Sequence, residues 1–230
     1  MNAEEFAYTS NATLNPKLWE GAGRLKSEVR GALLRIARDF YEFCDIEFPI
    51  IDIVITGSNV NYNWTAKSDL DLHLITDYTQ TECDSELEEL FDTKRLRYEQ
   101  ERPVKIYGIP VTLYVEDQDR PGVSQGLYSV KQGEWINKPR QIRPQINQGD
   151  ITDQYKAWEI ILSAVLERRQ LDLSRSTLKL LRNYRRLGLA TEQGEFSTAN
   201  IVYKQLRNHS LTDLLHDQVE HLITQRLSID

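Results

Sequence analysis

The chain has 230 residues, 40% of them hydrophobic and 27% charged, with a mean hydropathy of −0.52. A chain of this size can bury a full core in one large domain or two small ones without staples, and no apolar run reaches the length of a membrane helix. The net charge of −7 excludes a protein that coats nucleic acid with its whole surface. That figure hides an asymmetry: residues 1–134 carry 14 basic and 24 acidic side chains, a net of −10, whereas residues 135–230 carry 14 and 11, a net of +3.

The first ten residues, MNAEEFAYTS, are acidic and polar, unlike a secretory signal or an Arg-rich transit peptide. Cys44 and Cys83 are far apart and form no C-x-x-C pair, so neither a disulfide framework nor a Cys-rich zinc site is expected. These features suit a reduced protein of the cytoplasm with no membrane partner.

Residues 1–22 read as irregular, with Asn15-Pro16 as a turn signal. From Gly23 onward, Leu25, Val29, Leu33, Ile36, Phe40 and Phe43 recur at helical spacing. Pro49 closes that region. The β-branched run 51–56 reads as a buried strand, broken by Gly57-Ser58. Residues 59–67 have no clear period. Asp69-Leu-Asp-Leu-His-Leu-Ile75 alternates strictly, which predicts a strand with two unlike faces. A charged helix follows over 82–100, with Leu87, Leu90, Phe91 and Lys94 along one side. Segments 104–107 and 111–115 flank Gly108-Ile-Pro110 and predict a hairpin; 126–131 and 134–136 predict a second one around Gln132-Gly133. Beyond a Pro-, Gln- and Asn-rich stretch the pattern is helical throughout. Tyr155, Trp158, Ile161, Leu162 and Val165 mark one helix, and Leu178, Leu181 and Tyr184 a second, with Gly188 as its expected cap. Ser197 opens a third, and 211–227 is a fourth.

The informative constellation is Gly57-Ser58 followed by Ser68-Asp69-Leu70-Asp71. Carboxylates at i and i+2 of a strand share one face. They repel each other unless a cation neutralises them. Hard oxygen donors at that spacing suit Mg²⁺ or Mn²⁺. A Gly-Ser turn entering a short helix offers backbone N–H groups and a hydroxyl to phosphate oxygens. Together these point to metal-assisted chemistry on a nucleoside triphosphate.

This pattern resembles the nucleotidyltransferase superfamily of the DNA polymerase beta type, whose signature is Gly-Ser, a short helix and a strand bearing Asp-x-Asp. Much of the remaining chain, including SQGLYSVKQGEWINKP and GEFSTANIVYKQLRN, is similar to phage-encoded predicted nucleotidyltransferases of unknown substrate. The resemblance implies an α+β fold: a small mixed sheet flanked by helices over 1–138, a linker over 139–150 and a helical region over 151–230. It implies catalytic and metal-binding roles for Asp69 and Asp71, two divalent ions, and a triphosphate held by Gly57, Ser58 and Ser68. Pyrophosphate would leave as an acceptor, of nucleic-acid, protein or other class, attacks the α-phosphate. The host cytoplasm would be the setting.

One position departs from the family pattern. The third carboxylate is expected within 111–115, most naturally at Thr112, which is not an acid. Glu116 shares that strand face and is the best substitute, although four residues span roughly 13 Å of strand. Two readings therefore stay open: an active transferase, or a weak or silent nucleotide-binding module on the same fold. His73 lies on the Asp69–Asp71 face and is read as a polar strand residue. Arg175, Lys179, Arg182 and Arg186 form one helical stripe. It is either a solvated face or a basic rail, in which Lys179 and Arg182 would contact the triphosphate or a nucleic-acid acceptor.

Overall fold

The computed structural model describes residues 11–21, 23–46, 48–80, 84–118, 125–141 and 146–228. These fall into two compact units that part at 142/143. Cys83 lies outside the described residues; Cys44 is buried and free.

The first unit begins with a small ladder, β1 (Trp19–Glu20) and β2 (Arg24–Leu25), followed by helix α1 (Ser27–Cys44). Val29, Leu33, Ala37, Phe40 and Cys44 form the buried stripe of α1, and the helix ends on Asp45 in the left-handed region. Strands β3 (Asp52–Thr56) and β4 (Leu70–Thr76) come next, then α2 (Asp84–Glu101). The predicted α2 stripe needs one change. Leu90 is 45% exposed, while Phe91 and Tyr98, seven residues apart, are buried. The apolar side of α2 thus runs through Phe91 and Tyr98.

Strands β5 (Lys105–Ile106), β6 (Ile109–Asp117), β7 (Leu127–Ser129) and β8 (Glu134–Asn137) complete a six-stranded sheet in the order β5-β6-β4-β3-β7-β8. Only β4 and β6 pair in parallel, so the sheet is mixed, and α2 supplies the crossover between them. The first hairpin turns at Tyr107-Gly108, both at positive φ, rather than at Gly108-Ile-Pro110. Two residues at positive φ match the right-handed twist of the flanking strands, and Ile109 and Pro110 are already paired. One core joins α1, α2 and the sheet, and it includes Leu14, Leu18 and Trp19 from the stretch predicted to be irregular. The chain is α+β with a mixed sheet flanked by helices and a helical C-terminal region, consistent with the layout the resemblance implies.

The second unit is a four-helix assembly with its own core. Its helices are α3 (Gln148–Arg168), α4 (Leu171–Leu189), α5 (Thr198–Asn208) and α6 (Leu211–Leu227). Residues 148–150, expected in the linker, form the first turn of α3. Asn147 caps that turn by accepting from the N–H groups of Gly149 (3.1 Å) and Asp150 (3.4 Å). Ser197 caps α5 through the N–H of Asn200 at 3.3 Å. Gly188 does not end α4, which runs on to Leu189 and is capped by Ala190. A Cβ at Gly188 would stand 2.6 Å from Ala199 Cβ and 2.7 Å from Ser197 Oγ. The residue is glycine because α4 and the start of α5 pass so closely. Among the described residues, no helix is long and apolar enough to cross a membrane.

Candidate functional site

Strand β3 ends in Gly57, whose φ is +82. A Cβ there would lie 2.1 Å from Oδ2 of Asp71. Only glycine meets both conditions, the left-handed φ and the bare backbone against a carboxylate. The fold therefore brings the Gly-Ser turn and the second acid of Asp-x-Asp into direct contact.

A single 3₁₀ turn over Ser58–Val60 follows. Gly57 is its N-cap residue and has no side chain to cap it, so Ser58 does not serve as the cap. The Ser58 hydroxyl instead donates to Oγ of Ser68 at 2.8 Å, and Ser68 Oγ also accepts from the N–H of Thr65 at 2.9 Å. Gly57, Ser58 and Ser68, all sequence-predicted ligands, thus form one connected patch beside Asp71.

Sequence reasoning undervalued Asn59. Its side chain is fully buried. Nδ2 donates to the carbonyl oxygens of Ser68 (3.2 Å) and Asp69 (2.6 Å), while Oδ1 accepts from Nδ2 of Asn15 at 2.7 Å. Its carbonyl oxygen accepts from Nε1 of Trp19 at 2.8 Å. Asn59 therefore ties the turn to the backbone that enters β4. Asn61 Nδ2 donates to the carbonyl oxygen of Gly57 at 2.8 Å and braces the same turn. Both asparagines hold loop backbone, and nothing in their spacing marks them apart from ordinary turn residues.

Asp69 and Asp71 are half-buried, whereas Leu70, Leu72 and Leu74 are fully buried, as alternation requires. In the ladder, Asp71 stands opposite Thr56 on β3 and beside Thr112 on β6. A polar hydroxyl thus occupies the position next to Asp71. Glu116 is in register with Ile75, further along the strands, and its Oε1 stands 3.0 Å from Nδ1 of His73. His73 stacks on Tyr114 with ring centroids 4.6 Å apart, and Arg95 lies over the other ring at 5.2 Å. Burial pushes the Tyr114 phenol above its ordinary range, and the negative charge of Asp71 and then Asp69 pushes it further, with Arg95 opposing. Tyr114 therefore lies near the carboxylate pair, while Glu116 Oε1 lies beside His73.

Among the described residues, no group of three or more His, Cys, Asp or Glu side chains could hold a metal ion. The donor set offers two carboxylates. That fits a cation held by one or two protein oxygens and completed by phosphate and water, as Mg²⁺ commonly is. It is not a protein cage. Lys179 and Arg182 belong to α4 in the helical unit, where they line a groove with His216 and Glu220. Tyr155 and Trp158, at 1% and 8% exposure, are core residues there, as their spacing suggests.

No protein-family model matches the sequence, and no curated protein matches it. Among solved structures, the STING-associated CdnE c-di-GMP synthase from Capnocytophaga granulosa aligns at 15% identity over 88% of this chain and 70% of its own, with a TM-score of 0.21. That likeness is too slight to define a fold or a function.

Proposed function

We propose that the chain is a nucleotidyltransferase. It moves a nucleoside monophosphate from a nucleoside triphosphate to an acceptor hydroxyl or phosphate and releases pyrophosphate. The contact of the Gly57 backbone with the Asp71 carboxylate supports this best, because it joins a phosphate-type turn to a cation-type pair. Mg²⁺ or Mn²⁺, when bound to Asp69 and Asp71, offsets triphosphate charge. The resemblance implies two such ions.

The chain's own residues do the positioning. The Gly57 backbone, bare of a side chain, lets phosphate oxygens approach. Ser58 directly follows Gly57, and its hydroxyl, which donates to Ser68 in the structure, would turn from Ser68 to donate to a phosphate oxygen. An acceptor oxygen lone pair attacks the α-phosphorus as the bond to the oxygen bridging α and β breaks. Pyrophosphate leaves with that electron pair, and the acceptor proton passes to water. The test is incubation with triphosphates labelled at the α-phosphate, Mg²⁺ and cell extract. Label should transfer with the native chain and fall about 100-fold or more with Asp71→Asn, at an unchanged urea midpoint. Undiminished transfer in both Asp69→Asn and Asp71→Asn would sink the assignment.

A second reading rests on Thr112 standing beside Asp71. In that reading the site binds nucleotide without transferring it. Calorimetry with triphosphate and Mg²⁺ would then show binding while the pyrophosphate assay stays silent.

A further inference from the structure

Helix α4 carries a row of four cations. Arg175, Lys179, Arg182 and Arg186 are all exposed and lie on one face of the helix. From 175 to 186 the stripe runs about 16 Å along the axis. Arg175 with Lys179 and Arg182 with Arg186 are like-charged i,i+4 pairs, which destabilise a helix slightly. Only Arg186 lies in the last turn, where the helix dipole favours a cation. Among the described residues, none of the four makes an ion pair. Arg182 Nη2 stands 3.5 Å from Nε2 of His216, and Arg186 Nη2 donates to Oδ1 of Asn183 at 2.7 Å. Some cations elsewhere are paired. Arg95, Arg97 and Arg102 each meet a carboxylate. Arg185, on another face of α4, lies over the Tyr203 ring at 4.7 Å. The stripe is therefore a row of charges that the protein itself leaves unneutralised.

The stripe also forms one wall of a groove of about 530 Å³. Leu178 and Val219 are buried beneath it, and His216 and Glu220 of α6 form the opposite side. Three of the four cations are arginines, whose planar forks suit phosphate oxygens. Among the described residues, no Phe, Tyr or Trp lines the groove, so contacts to phosphate rather than extended base stacking are expected of it. Its length decides between phosphate ligands. A strand of B-form geometry carries one phosphate per 3.4 Å of duplex axis, so a stripe parallel to that axis covers the rise of about five phosphates. A nucleoside triphosphate has three and would leave one end unused.

We propose that the α4–α6 groove binds the phosphodiester backbone of a nucleic acid, with Arg175, Lys179, Arg182 and Arg186 as its phosphate contacts. Glu220 repels that backbone and holds it to the α4 side. The site lies wholly within the helical unit and does not depend on the transferase reading.

The test is fluorescence anisotropy of the full-length chain with labelled 20-nucleotide single strands and duplexes of mixed sequence. Four contacts give a slope of log K against log salt of about −3.6 on duplex and about −2.8 on single strands. Arg182→Ala should reduce the slope by about 1. Glu220→Gln should tighten binding. Lys156→Glu is the same-sign charge control on an exposed position of α3 and should change affinity far less than Arg182→Glu. Asp69→Asn with Asp71→Asn should leave binding unchanged, which separates this proposal from the transferase reading. The proposal is overturned by no binding at 50 mM salt, or by equal losses in Lys156→Glu and Arg182→Glu. Competition by polyglutamate of matched charge, or by ATP, as effective as that of unlabelled oligonucleotide overturns it as well.

Discussion

Each unit contains a glycine whose missing side chain lets two segments meet, and the two meetings differ in kind. At Gly57 a Cβ would strike a carboxylate oxygen of Asp71 at 2.1 Å, and the backbone has positive φ. At Gly188 a Cβ would strike the methyl of Ala199 at 2.6 Å, inside a regular helix. The first contact joins a polar turn to an ionisable group; the second joins two helices. The charges differ in the same way. Asp39 is held by Arg102 at 2.7 Å and Arg95 by Glu99 at 3.5 Å, whereas the α4 stripe has no such partner. In the sheet unit the close approach touches a carboxylate. In the helical unit it joins two helices, and the α4 stripe makes no ion pair among the described residues.

The largest effect is expected at Gly57. Gly57→Ala must move either the turn or Asp71, and the left-handed backbone adds strain of about 1–3 kcal/mol. Nucleotide binding should be lost, measured by calorimetry, together with a lower urea midpoint. Gly21→Ala is the comparison: its φ is also positive, but nothing lies within 4 Å. It should cost only the backbone term, about 1–2 kcal/mol, and leave binding intact. Equal effects of the two substitutions would show that the Asp71 contact is incidental.

Asn59→Ala comes next. It removes three side-chain hydrogen bonds in a buried site. At about 1 kcal/mol each, the loss is about 3 kcal/mol by urea unfolding. Because two of those bonds hold the carbonyls of Ser68 and Asp69, triphosphate binding should weaken as well. A stability loss without any change in binding would separate the turn's architecture from the site.

What the sequence makes legible follows from periodicity. Alternation around Asp69 and Asp71 sets a strand face, and Gly-Ser after a β-branched run sets a turn. The parallel register puts Thr112 beside Asp71. Other features depend on contacts distant in the chain. Asn59 looks like any loop asparagine until Asn15, Trp19 and Ser68 are packed around it. Glu116 shares a strand face with Thr112, yet it lies beside His73, because the strand carries it past the register of Asp71 to that of Ile75. Gly188 was expected as a cap because glycine serves both helix ends and close helix contacts, and local sequence does not distinguish them.

That ambiguity can be tested. At an exposed interior position, Gly→Ala usually stabilises a helix by about 1 kcal/mol. At Gly188 the added methyl meets Ala199 and Ser197, and overpacking of this kind costs about 1–3 kcal/mol. A net loss of up to about 2 kcal/mol is expected in thermal unfolding, with the Asp71 site untouched. Adding Ala199→Gly should restore part of it. A stabilised Gly188→Ala would mean that the α4–α5 contact relaxes easily, and the contrast between the two glycines would then sharpen.

The smallest effect concerns the charges that the sheet unit does neutralise. Asp39 accepts from the Tyr98 hydroxyl at 2.6 Å and from Arg102 at 2.7 Å. The Tyr98 bond first, and the Arg102 bond second, hold its carboxyl below the ordinary carboxylate value, with burial opposing. A lowered folded-state value means that the stabilisation is complete above the unfolded value of about 3.9. It is lost as pH falls through the folded-state value. Asp39→Asn should therefore flatten the acid limb of stability between about pH 5 and pH 2 and change little at neutral pH beyond loss of the Arg102 pair. The size is modest because Asp39 and Arg102 are 48% and 47% exposed, so water and salt screen them. Tryptophan fluorescence in a Trp158→Phe background reads the sheet unit alone, through Trp19, Trp64 and Trp135. An acid limb in that signal that ignores Asp39→Asn would assign the pH dependence to other carboxylates. The Asp39–Tyr98–Arg102 contact would then be a matter of packing between α1 and α2, of the same kind as Gly188.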